Sequence, residues 1–166
     1  CGFYVSSVHL VTMLLPYLNK QIEEQIEVIP FLEFYLRKNV ETILSKIVLN
    51  EKNKEQILDI NWKNTKVQKF TNIESKIKEK LKNEKEAIIL VSGSKKYIKI
   101  VNEMIERYFN KYRNNKKYIT VINCFEVEEF DDDSRDILYE HEYIINTSGI
   151  NKIEDVFEIY KEKQTN

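Results

Sequence analysis

The fold is decided by Ala87-Ile88-Ile89-Leu90-Val91-Ser92-Gly93-Ser94-Lys95-Lys96. Five apolar residues in succession, without polar alternation, read as a strand buried on both faces. Ser92-Gly93-Ser94 is turn chemistry. Beyond it Tyr97, Val101, Met104 and Tyr108 form one helical stripe, with Ile98 and Ile105 beside it, to about Tyr112. A buried strand that turns tightly into an amphipathic helix is half of a βαβ unit. Tyr118 to Cys124, a second buried strand, completes it.

The alternation recurs on the N-terminal side. Gly2 to Ser6 reads as a strand, and Ser7 as the cap of a helix carrying Leu10, Val11, Leu14, Leu15, Leu18 and Ile22. Pro16 inside that helix predicts a kink or a later effective start. Ile26 to Phe31 is a second strand. Arg37 to Val48 is helical, and Asn50 caps a short helix from Glu51 to Leu58. Asn64 to Phe70 reads as a short edge strand, and Thr71 as the cap of a helix through Ile73, Ile77 and Leu81. Towards the C-terminus, Ser134 to Glu140 reads as a short helix, Tyr143 to Asn146 as a strand, Gly149 as a turn and Ile150 to Lys161 as the last helix. The pattern predicts an α/β fold: a three-layer sandwich with a mostly parallel central sheet, in one domain over residues 1–166.

Composition narrows the function classes. The chain has 166 residues, 42% hydrophobic and 32% charged, which suits a packed core rather than disorder. No apolar run approaches the roughly 18 residues of a membrane span, and no secretory signal pattern is seen. A cytoplasmic location is expected, with Cys1 and Cys124 as reduced thiols. The chain opens on Cys1 rather than Met, so its true start is expected upstream. Three glycines, Gly2, Gly93 and Gly149, exclude both G-x-G-x-x-G and the Walker P-loop. Two histidines and two cysteines, all far apart, give no zinc spacing.

Charge is uneven along the chain. Residues 1–60 carry 6 basic and 8 acidic groups, residues 61–117 carry 16 and 6, and residues 118–166 carry 4 and 13. The basic and acidic parts are expected to neutralise each other in the fold; a nucleic-acid face is the weaker alternative. Lysine, asparagine and isoleucine make 60 residues and alanine one, the usage of AT-rich codons, so lysine richness argues little for nucleic acid.

In parallel α/β sheets ligands bind outside the carboxyl ends of the strands. That rule selects Tyr4, Ser6 and His9 after the first strand, Ser92, Gly93 and Ser94 after the strand at 87–91, and Cys124 and Glu126 after the next. The serines and nearby backbone amides would orient a ligand, with Tyr4 and Cys124 lining its pocket. Ser92-Gly93-Ser94 opens a helix and is the best anion site, with Lys95 or Lys96 adding a cation. Ser6, Ser7 and His9 lack the third group that a nucleophile–base pair needs, and G-x-S-x-G is absent. The acidic run from Glu126 to Asp133 lacks a calcium-loop pattern and reads as solvated; His141 reads as packing or capping. No metal and no cofactor is expected.

Cys1-Gly2-Phe3-Tyr4, followed by a helix containing Leu15-Pro16-Tyr17-Leu18, resembles the opening of MEDS sensory domains. Thr120-Val121-Ile122-Asn123-Cys124-Phe125 resembles that family's strand ending in Cys before an aromatic–acid pair. Phe130, a short helix and His141-Glu142-Tyr143-Ile144-Ile145 resemble its closing strand. Glu126 stands where an aromatic is usual, and Glu142 replaces a proline. The resemblance implies a degenerate relative of RecA/KaiC-type P-loop ATPases, without a working Walker motif, that senses small organic molecules in signalling. The expected function is therefore a non-enzymatic sensor binding a small molecule or a partner protein at the strand-end rim. The alternative is an enzyme or sensor that holds nucleotides or phosphorylated compounds at Ser92-Gly93-Ser94, with an acidic group at 126–133 for magnesium.

Overall fold

The computed structural model describes residues 1–65, 70–82, 86–112, 118–128 and 131–157. In chain order the elements are β1 (Gly2–Tyr4), α1 (Ser7–Glu23), β2 (Glu27–Leu32), α2 (Arg37–Leu44), α3 (Glu51–Asp59), α4 (Phe70–Lys80), β3 (Glu86–Gly93), α5 (Lys95–Lys111), β4 (Tyr118–Glu126), α6 (Asp132–Tyr139), β5 (Tyr143–Asn146), β6 (Gly149–Lys152) and α7 (Ile153–Val156). The fold is the expected α/β sandwich. Its central sheet is four-stranded and parallel throughout, in the order β1-β4-β3-β2.

Side chains alternate across a pleated strand, so the apolar run of β3 feeds two cores. Ile88 and Leu90 join Val28, Leu32, Ile122 and Cys124 beneath α1, α2 and α3. Ala87, Ile89 and Val91 join Ile29, Phe31 and Phe125 beneath α4 and α5. Helix α1 carries the chain from β1, at one edge of this sheet, across two strands to β2 at the other. Trp62 closes the first core, its indole N–H donating to the Ile57 carbonyl at 2.7 Å.

The β1 edge is covered, and the β2 edge is covered in part. On the β1 side, the Cys1 nitrogen donates to Tyr143 O and Ile145 N donates to Cys1 O, each at 2.7 Å. These bonds join the antiparallel β5–β6 hairpin to the sheet. Gly2 permits that approach: a Cβ there would stand 2.7 Å from Ile145 Cγ2. On the β2 side, Leu32 O accepts from Thr65 N at 2.7 Å, Lys76 donates to Pro30 O, and Pro30 has no N–H to offer.

The structure departs from the sequence expectations at several termini. Ser6, not Ser7, caps α1, which runs from Ser7 through Pro16 without a break. Helix α2 ends at Leu44 rather than Val48. Asn64 and Thr65 are not in a strand, residues 66–69 lie outside the described residues, and Phe70 already belongs to α4, so Thr71 is not its cap. Helix α6 starts at Asp132, because Asp131 accepts from both the backbone N and the hydroxyl of Ser134 and so caps it. Gly149 opens β6, so the expected helix from Ile150 is a strand followed by one turn of α7; residues 158–161 lie outside the described residues.

Ile89, fully buried between β2 and β4, tests the two-core arrangement. Ile89→Ala should lower the unfolding free energy by about 2–5 kcal/mol, read from the midpoint shift in urea at constant slope.

Candidate functional site

The strand-end rim is closed by the protein's own groups. Tyr4, Ser92 and Cys124 are each 0% exposed. The Ser92 hydroxyl donates to the Tyr4 phenol oxygen at 3.2 Å, and the Tyr4 ring meets Phe34 edge-on at 6.0 Å. Burial raises the Tyr4 phenol far above its ordinary value and pushes the Cys124 thiol up to about 12, so both stay neutral. Side chains expected to line a pocket are thus core groups.

Ser94 caps α5, accepting from Tyr97 N at 3.3 Å. The helix start is already filled by a carboxylate: Glu33, just beyond β2, accepts from Ser94 N at 2.6 Å and from the Ser94 hydroxyl at 3.2 Å. Glu33 N also donates to Ser92 O at 2.9 Å, which fixes the loop against the end of β3. A Cβ at Gly93 would stand 2.5 Å from Glu33 Oε2 and 2.7 Å from Glu33 Cβ. Glycine is therefore required by the carboxylate's approach. A phosphate reaching these amides would have to displace Glu33.

The remaining rim residues are occupied locally. The Ser6 hydroxyl accepts from His9 N at 3.2 Å, and His9 Nδ1 accepts from Val5 N at 3.4 Å, which settles both in capping roles. Glu126 is exposed at the end of β4. Of the acidic run, Asp131 caps α6 and Asp133 pairs with Lys95 at 2.8 Å. No group of acidic, His or Cys residues arranged for a metal ion occurs among the described residues. His141 Nδ1 lies 2.7 Å from Ile137 O and the ring meets Phe125 at 6.3 Å; burial lowers its pKa.

A different concavity is open. A cleft of about 1060 Å³ follows the outer flank of β2, between α3 and α4, with the end of α1 at its foot. No sequence expectation named it, since it lies beside a strand rather than at its end. Val28, Pro30, Gln25, Asn53, Gln56 and Lys76 line it. The carboxamides of Gln25 and Gln56 stand exposed on its walls. Gln25 joins α1 to β2 with φ 59, a left-handed conformation at which glycine is the easier residue. It is the residue just after the α1 cap: Gln25 N donates to Ile22 O and Ile26 N to Gln21 O, each at 3.0 Å, which closes the helix end.

Lys76 is the cleft's distinctive group. Its ammonium donates to Pro30 O, reaches the Thr65 hydroxyl at 3.5 Å and lies 4.8 Å from the centre of the Phe31 ring. It forms no ion pair among the described residues. Burial, with Lys80 as a like charge nearby, lowers its pKa to about 8. The folded-state value lies below the ordinary lysine value, so the unfolded chain binds this proton more tightly. The positive charge opposes folding below about pH 8, and that cost disappears as pH rises from about 8 towards 10.5.

Comparison with protein-family models, with curated proteins and with solved structures finds no match.

Two outcomes check the closed rim. Gly93→Ala should destabilise the wild-type protein by about 1–3 kcal/mol, and the loss should shrink clearly in a Glu33→Gly background. A thermal-denaturation cycle reads the coupling; equal losses in both backgrounds refute the steric account. Iodoacetamide at pH 8, mapped by mass spectrometry, should leave Cys124 unmodified until denaturant is added.

Proposed function

We propose that this chain is a non-enzymatic, cytoplasmic sensor domain that binds a small organic ligand, in keeping with its resemblance to MEDS domains. The observation that carries the reading is the open cleft beside β2, whose polar groups are only partly engaged by the protein itself. Its size is that of sites for drug-sized ligands. Chemistry is disfavoured by the arrangement at the rim, where each candidate nucleophile is buried, capping a helix or without an oriented base. Binding in the cleft instead suits a signal. Helices α3 and α4 belong to opposite cores, so a ligand spanning them couples the two faces of the sheet.

The nucleotide or phosphorylated-compound reading has one supporting feature, the amide and hydroxyl of Ser94 aimed at an anion. Glu33 already serves as that anion.

Thermal shift separates the two. A panel of small organic acids, amines, amides and sugars is screened beside ATP, ADP and GTP, each with and without magnesium. A ligand at about 100 times its dissociation constant adds roughly 2.7 kcal/mol, or about 5–10 °C for a domain of this size. A panel hit weakened by Gln56→Ala or Lys76→Met is expected, with no response to nucleotides. A nucleotide shift that survives both substitutions overturns the reading, as does a panel without any hit.

A further inference from the structure

The outer edge of β2 shows what kind of molecule the cleft is made for. Backbone groups of successive residues in a parallel ladder point to alternate sides. Glu33 N donates across to Ser92 O of β3, whereas Leu32 O and Pro30 O are bonded on the outer side, by Thr65 N and Lys76. Even-numbered residues of β2 therefore direct their backbone outwards. Val28 is the next of them, lines the cleft, and has no outer partner for its N–H or C=O among the described residues. One free donor–acceptor pair on a strand edge matches one residue step of a parallel strand: Val28 N–H takes a carbonyl, and Val28 C=O takes the N–H two residues on.

The ladder cannot continue beyond that step. Pro30 has no N–H, and its place as donor is taken by the Lys76 ammonium, which carries a full charge and faces neutral partners. An incoming strand that ended there, with a carboxylate in place of its next carbonyl, would meet the Lys76 ammonium, which lies against β2 and has no ion pair among the described residues; Lys52, unpaired as well, is exposed on α3. We infer that the cleft takes a short peptide in extended form, its backbone paired with Val28 and its terminal carboxylate on Lys76. This rests on the reading of the cleft as the ligand site, and names the ligand class.

Other charges around Lys76 do not supply the same contact. Lys80, on the same helix, is paired with Glu27 of β2 at 2.8 Å. Glu79 of α4, Asp59 and Lys52 of α3, and Glu23 at the end of α1 also line the cleft. Burial brings Lys76 to about 8, so a change in affinity near pH 8 is assigned by comparison with Lys76→Arg.

The test is calorimetry on the whole chain with three probes: N-acetyl-valyl-valine, its C-terminal amide, and the depsipeptide in which the last amide N–H is an ester oxygen. The acid should bind at least about tenfold more tightly than the amide, and about threefold or more above the depsipeptide. Acid affinity should fall from pH 7 to pH 9.5, with the amide unchanged. Lys76→Met should erase the acid–amide difference, and Lys76→Arg should keep it and remove the pH dependence. Circular dichroism shows that each variant is folded. Acid and amide binding alike, or a preference that survives Lys76→Met, overturns the inference. If no peptide binds while a hit from the small-molecule panel is lost on Gln56→Ala, the peptide inference fails and the cleft reading stands. If nothing binds, both fail.

Discussion

Everything in this molecule hangs on the double pairing of β3. A strand hydrogen-bonded on both edges and buried on both faces has no contact with water along its centre. Its five apolar residues are divided between two cores by the pleat alone. The helices are then obliged to lie on opposite faces, and the first connection must travel from one edge of the four-stranded sheet to the other. Pairing also fixes where the strand ends fall, and so which side chains meet at the rim. Tyr4, Ser92 and Cys124 meet because their strands are in register, at Gly2 with Cys124 and at Ser92 with Cys124.

At that rim the sheet completes itself. The positive end of α5 needs an anion, and the chain supplies one in Glu33. The buried hydroxyls of Tyr4 and Ser92 satisfy each other. The flank of β2 is different. There the strand edge is covered in part, by Thr65 and Lys76, and the cover stops short of Val28. A polar surface left with unmet hydrogen-bonding groups is a better place for a ligand than one whose groups already have partners.

The fold was legible because buried parallel strands announce themselves. Ala87 to Val91 has no competing reading, and the stripe from Tyr97 to Tyr108 has helical period throughout. Ends were less legible, because one turn of helix costs little to gain or lose. Asp131 caps α6, so that helix begins at Asp132 rather than Ser134, and a glycine at 149 started a strand where a turn into a helix was expected. The residues named for the rim lie at or just beyond strand ends, yet their state was hidden. Nothing near Ser94 in sequence points to Glu33, which lies 61 positions away and reaches the turn only through the pairing of β2 with β3. The cleft was hidden for a similar reason. Lys76 is one lysine among 22, and its isolation from carboxylates is a property of the folded neighbourhood. Pro30 within a strand was the available signal, since proline is confined to edges and marks one here.

The order of the strands has a consequence for how the chain is made. β1 leaves the ribosome first, but its ladder partner in β4 follows about 120 residues later, and closing so long a loop carries an entropic cost before any contact repays it. Throughout that interval the apolar stripe of α1, from Leu10 to Leu18, has only part of its core to rest on. β1 therefore waits for β4 before it can pair, the β5–β6 hairpin docks on it later still, and the nascent chain is most exposed to misassociation just before its second half emerges.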